Sequence, residues 1–148
     1  MIIKEIKATE KIEECWELLQ SHRDELATNK ELMVLKPDME KYIALENAGK
    51  LMTLALYDGD KIVGYSVNIF TKALHYADLM TAQNDLLFLR KDLRKGRWGI
   101  LLIQETEGRC KDRGAKFMLW HGKQNTAFAS LMPKLGYGVQ DIIFSKVL

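Results

Sequence analysis

Hydrophobic and polar positions alternate along this chain with two distinct periods. Ile2, Ile3 and Ile6 read as a short first strand. Thr9 is placed to cap a helix in which Ile12, Cys15, Trp16 and Leu19 recur at helical spacing. Ser21 to Pro37 is polar and irregular. Asp38 then caps a second helix through Tyr42, Ile43, Leu45 and Glu46, with Gly49 as its terminator. Leu51–Tyr57 and Ile62–Phe70 read as strands joined at Asp58-Gly59-Asp60, and Leu86–Leu89 as a third, mostly apolar strand. A helix of about fifteen residues follows, ending at Asp112-Arg113-Gly114. Ala115–Trp120 lacks strict alternation, which predicts a strand buried on both faces. Asn125 opens a helix running to Leu135-Gly136, and Val139–Val147 reads as a final strand.

The predicted order is strand, two helices, three strands, helix, strand, helix, strand. That is a mixed α/β arrangement around a central strand-helix-strand unit, whose parallel crossover is right-handed. The 148 residues suit one domain, 1–148, and with two prolines and no Ser/Gly-rich linker nothing marks a boundary. A net charge of +2 does not by itself call for a nucleic-acid partner. The two cysteines have no metal-ligand spacing, which predicts a reduced, cytoplasmic protein and no metal. No apolar run reaches the length needed to span a bilayer.

The chemically informative stretch is "LRKGRWGILLIQETE", Leu93 to Glu107. Two glycines and several bases stand where a strand feeds a helix. Such a junction presents unpaired backbone N–H groups and the positive end of the helix dipole, a natural site for phosphate. Gly96 and Gly99 let the backbone approach a guest, and Arg94, Lys95 and Arg97 add full charges. The run is not a Walker loop, since no Gly-Lys-Ser/Thr ending is present. Five bases between Arg90 and Arg97 also suit nucleic acid, but no aromatic ladder accompanies them.

Arg94-Lys95-Gly96-Arg97-Trp98-Gly99 resembles the Arg/Gln-x-x-Gly-x-Gly/Ala signature of the GNAT superfamily of N-acetyltransferases. "NTAFASLMPKLGY" resembles that family's Asn-x-x-Ala…Gly-Phe/Tyr segment, and compact phage-encoded members are especially similar. The resemblance implies a central mixed sheet of about six to seven strands flanked by about four helices. It implies acetyl-CoA as co-substrate, a primary amine as acceptor (a small molecule or a protein), and direct attack in a ternary complex. For a phage-encoded member the location would be the host cytoplasm. Its cofactor site maps onto Phe88, Leu89 and Arg90 at the strand end, onto Arg94, Lys95, Gly96, Arg97, Trp98, Gly99 and Ile100 at the junction, and onto Asn125.

Two departures stand out. Arg97 replaces the signature's first glycine, and Met132 stands where many members carry the tyrosine that protonates the leaving thiolate. A missing general acid costs ~10²–10⁴ in rate, least for a leaving group as acidic as a thiol. The same departures suit an alternative, a catalytically silent GNAT-fold module binding CoA or a protein. Candidate bases are Asp85, two and four positions before Leu87 and Leu89 and so on their face, His75 before the third strand, and His121 after Trp120. Asp85 equally suits a turn with Asn84 as its partner, and each histidine a structural role. Asn125 suits either a cofactor contact or a helix cap. Ser21–Pro37 and Thr71–Ala82 would choose the acceptor. The apolar final strand suits either the sheet or a homodimer.

Overall fold

The computed structural model describes residues 1–148. Its core is one five-stranded sheet in the order β1-β2-β3-β4-β5. The strands are β1 (Ile2–Ile6), β2 (Leu51–Asp58), β3 (Lys61–Ala73), β4 (Tyr76–Leu89) and β5 (Phe117–Trp120). β1 to β4 run antiparallel, and β5 joins β4 in parallel. The helices are α1 (Ala8–Lys11), α2 (Trp16–Leu26), α3 (Met39–Asn47), α4 (Trp98–Asp112) and α5 (Ala127–Leu131).

The mixed α+β architecture and the strand–α4–strand crossover agree with the sequence reading. Asp38 caps α3 by accepting from the Lys41 N–H at 3.0 Å, and Gly49 follows it at φ 65°. Several expectations are corrected. The helix expected from Thr9 is broken: α1 is one turn, and α2 starts at Trp16 and runs as far as Leu26, into the start of the segment read as irregular, while residues 27–37 are irregular as expected. β3 and β4 extend to a turn at Leu74-His75, so most of Thr71–Ala82 is paired strand. Cross-strand pairing supplies partners that a single-strand pattern does not display. β5 is an outer strand, partly exposed, not buried on both faces. Val139–Val147 forms no strand, so the sheet has five strands where six or seven were expected.

Each face of the sheet has its own cover. Met52, Leu54, Phe70 and Ala82 pack with Leu102 and Cys110 of α4. On the other face Leu51, Tyr65, Val67 and Phe88 receive Leu18 and Leu19 of α2 and Tyr42 and Leu45 of α3. Burying side chains of this size contributes roughly 1.5–3 kcal/mol each before entropy is counted. Gly64 lets β3 lie close against the end of β4, since a Cβ there would stand 2.9 Å from Leu89 Cδ1 and 3.0 Å from the Phe88 carbonyl.

β4 carries one irregularity. Leu86 faces Val67 and Asn84 faces Asn68, which leaves Asp85 as the extra residue of a β-bulge. Asn84 is buried, with Nδ2 3.0–3.2 Å from Ser66 Oγ, Asn68 Oδ1 and the carbonyls of Val67 and Leu86. Those carbonyls flank the bulge, so one amide holds both of its shoulders. Asn84 is therefore a structural strand residue and not a turn partner of Asp85. Replacing it with Ala leaves several buried acceptors short of a donor, a loss of roughly 1–3 kcal/mol. Asn84→Ala should lower the urea midpoint accordingly at unchanged m-value, and a midpoint within error of wild type would show that the bulge does not depend on this amide.

Candidate functional site

The bulge falls where β4 loses a neighbour. Asn84 pairs with Trp120, the last residue of β5, while β4 continues from Asp85 to Leu89 with no strand beside it. Hydrogen bonds alternate along an antiparallel strand, and two contacts fix their phase. Arg90 N–H donates to the Val63 carbonyl at 2.9 Å, towards β3. The Leu89 carbonyl instead accepts from Arg94 Nε at 2.7 Å, on the vacated side. The N–H groups of Leu87 and Leu89 therefore face the opening, and those of Phe88 and Arg90 face β3. For a carbonyl-polarising role, the sequence reading of Phe88, Leu89 or Arg90 narrows to Leu89, with Leu87 the residue it missed.

The opening leads to the α4 junction. Arg97 is the N-cap residue and provides no side-chain cap, so the first N–H groups of this long helix have no protein partner there. Gly96 and Gly99 have ordinary backbone angles, and a Cβ at either would make only normal contacts, 3.7 Å or more from its neighbours. Neither strain nor internal packing asks for glycine at these positions. The space they leave is on the outside, where a guest would lie.

The basic residues divide sharply. Arg90 is held by Asp92 at 2.7 and 2.9 Å. Arg94 grips Glu25 of α2 through two bonds of 2.5 and 3.0 Å and lies over the Phe88 ring, 4.9 Å from its centroid. Its hydrogen bonds hold the Glu25 carboxyl below the usual carboxylate range. Lys91 stands 3.7 Å from the same Glu25. Lys95 and Arg97 have no acidic partner, and Arg97 lies over the Trp98 ring. Trp98 packs its ring towards Leu56, Val63 and Leu89, and Ile100 is half-buried in the first turn of α4.

Asp85 is exposed at the bulge. The extra residue breaks the strict alternation, so its shared face with Leu87 and Leu89 does not hold. Its charge reaches Tyr42 on the α2/α3 side, where burial first and Asp85 second raise the phenol. His121 follows Trp120 directly and is exposed at the same opening. His75 is not brought there. It occupies the β3–β4 turn, ten positions before Asp85 on an extended strand, roughly 30 Å away. Asn125 is exposed at φ 62°, and the cap of α5 is Thr126, which accepts from the Ala129 N–H at 3.2 Å. The Asn125 amide is thereby released from capping. Met132 is buried. Cys15 and Cys110 are buried, and burial pushes both thiols up to about 11, unsuited to nucleophilic work. No group of three or more His, Cys, Asp or Glu side chains converges as a metal site would require. No helix is long and apolar enough to cross a membrane.

One feature was not drawn from the sequence. His22 stacks on Phe88 with centroids 4.7 Å apart, and its Nδ1 lies 2.7 Å from the Tyr65 hydroxyl. Leu18 and His22 are spaced i, i+4, the only signal available in a segment read as loop.

No family model matches this sequence, and no curated protein sequence does. Solved structures match it throughout. A tetramutant of a Bacillus halodurans protein superposes with TM-score 0.78 at 18% identity, covering 100% of both chains. An aminoglycoside acetyltransferase from an uncultured soil metagenomic sample, solved with sisomicin, gives 0.76 at 16%, covering 99% of this chain and 95% of that one. A ribosomal-protein-alanine N-acetyltransferase from Brucella melitensis biovar Abortus gives 0.71 at 14%, covering 100% and 99%. The fold is that of the GNAT N-acetyltransferases.

Burial lowers His22 to about 4, so the folded state holds it neutral where the unfolded chain, near 6.5, takes up a proton. Between these values the unfolded state binds more protons, and stability falls as pH drops from 6.5 towards 4. The His22 imidazole resonance should titrate with a midpoint near 4. His22→Gln should remove part of the acid destabilisation in urea titrations, and a midpoint near 6.5 would contradict the buried pairing with Tyr65.

Proposed function

We propose that this protein is an acetyl-CoA-dependent N-acetyltransferase acting on a primary amine in a ternary complex. One observation carries the reading. The unpaired edge of β4 leads directly to an uncapped helix N-terminus whose two glycines serve no need of the chain itself. The residues present fit coenzyme A: backbone N–H groups for an extended, amide-containing arm, then helix N–H groups with Lys95 and Arg97 for phosphate. Asn125, left-handed and not engaged in capping, is available to the same ligand. The acetyltransferase names of the structural relatives support the assignment.

Acetyl-CoA supplies an activated acyl thioester. The chain's part is to position it, to polarise its carbonyl and to move a proton. Leu87 and Leu89 offer N–H groups fixed by the sheet, which need no rearrangement to meet developing negative charge. An amine such as lysine is neutral in only roughly one molecule in 2,500 at pH 7. Asp85, exposed at the apex of the opening, attracts the ammonium form and leads its proton to water, and His121, exposed just past the end of β5, is the second acceptor for that proton. Arg94 acts by position, tying the β4 carbonyl end to α2, and the phosphate contacts fall to Lys95 and Arg97. Met132, buried and without a hydroxyl, leaves the departing thiolate to be protonated by solvent.

Acetyl-CoA at about 100 times its dissociation constant should add roughly 2.7 kcal/mol of stability, a thermal shift of several degrees. The Lys95→Ala/Arg97→Ala variant should lose most of that shift while its unliganded melting temperature stays near wild type. Asp85→Asn should lower kcat by ~10²–10⁴ with little change in KM for acetyl-CoA. A folded wild-type protein that shows no shift would sink the assignment. A shift without turnover of any amine would instead mark a silent binding module.

A further inference from the structure

Three glutamates cluster where α1 meets α2, and they are not alike. Glu10 has Lys7 at 3.5 Å, and Glu14 has Lys11 at 2.6 Å. The Glu13 carboxylate has neither an ion pair nor a hydrogen bond. Three residues on, Trp16 begins α2, and its N–H donates to the Glu13 carbonyl at 3.2 Å, closing the turn between the two helices. Cys15 beside it is buried, while the Trp16 indole is 37% exposed.

Glu13 and Trp16 line one cavity. Ile12, Pro37 and Met39 complete its wall, and it measures about 440 Å³, the size of an ordinary small-molecule site. No lysine or arginine lines it. The wall is fixed without a ligand. The Asp38 cap sets Pro37 and Met39 on its two sides, and the Thr9 hydroxyl of α1 donates to Glu46 of α3 at 2.6 Å. The turn between α1 and α2 is thereby held against the start of α3.

An indole face, three apolar side chains and one uncompensated carboxylate have a definite chemical preference. Glu13 repels an anion, and a neutral apolar guest leaves its charge unanswered. A polycation finds a single acid. A cation with an apolar body meets every group, its charge against the carboxylate and the indole face, its body against Ile12, Pro37 and Met39. We propose that this cavity binds a small organic ammonium ion with an apolar body, recognised by Trp16 and Glu13. The site shares no residue with the opening beside β4 and does not depend on the acetyltransferase reading.

Benzyltrimethylammonium is the probe, since it carries a permanent charge and has no N–H to acetylate. The three tryptophans give three indole signals in a nitrogen–proton correlation spectrum. The Trp16 signal should move and saturate in roughly the millimolar range, with those of Trp98 and Trp120 unmoved. Glu13→Gln should weaken binding by roughly fivefold. Trp16→Leu, followed through the Ile12 and Met39 methyl signals, should weaken it by roughly five- to thirtyfold. Both positions are exposed, and unchanged signals elsewhere report an intact fold. Benzyldimethylcarbinol, neutral and of nearly the same shape, should bind more weakly than the cation. A Trp16 signal that stays in place, equal affinity for the neutral alcohol, or Glu13→Gln binding as tightly as wild type would each overturn the proposal.

Discussion

Everything at the candidate site depends on Asn84. Its backbone belongs to the last rung shared by β4 and β5, and its amide holds the shoulders of the bulge that follows. Up to this residue β4 has neighbours on both sides. After it, the same strand has one, and the extra residue at Asp85 has re-phased its side chains. A buried amide that reaches four acceptors is fully engaged, and a residue so engaged cannot drift. The position of the opening is therefore set by a small polar cluster under α4, and not by the residues lining the opening.

The junction beyond is shaped by how its charges are shared. Five bases close together look like one electropositive patch in sequence. In the fold, Asp92 and Glu25 hold Arg90 and Arg94, and Lys91 stands near Glu25. These are local ion pairs of small energetic value where exposed, but they decide which cations are available. Arg94 does more, because it ties the junction to both β4 and α2. It takes the Leu89 carbonyl at the end of β4, the Glu25 carboxylate of α2 and the face of Phe88. His22 stacks on that same ring. Helix α2 is thus packed onto the end of β4 through one aromatic ring, with a neutral imidazole and a cation against it.

The parts legible in the sequence are those with local causes. The Asp38 cap, the α4 helix, the glycine junction and the strand before it follow from short-range chemistry. The parts missed have causes elsewhere in the chain. The length of β3 and β4 depends on their pairing with each other, and the exposure of β5 on the absence of a next strand. The face of Asp85 could not be read by counting in twos, because a bulge is invisible to period-two arithmetic until the partner strand is known. Likewise Asn125 looks like a helix cap until Thr126 takes that role. The resemblance to a family signature pointed to the strand–helix junction, but it could not distinguish a base that is free from one, such as Arg94, that is already bound.

A strict account of backbone hydrogen bonds links the two ends of the sheet. Buried N–H and C=O groups are rarely left without partners, so a vacant stretch of ladder is met either by a ligand or by water. This fold has two such gaps, on opposite sides of the same parallel pair. On the inner side, β4 beyond Asn84 faces an opening edged by Asp85, His121 and the α4 N-terminus, polar surroundings that suit a diffusing ligand with amide groups of its own. On the outer side, β5 presents FMLW to solvent without a charge in it. An extended small molecule suits the first, since the gap is short and leads to the uncapped N-terminus of α4. Water satisfies the second, since β5 is the exposed edge of the sheet.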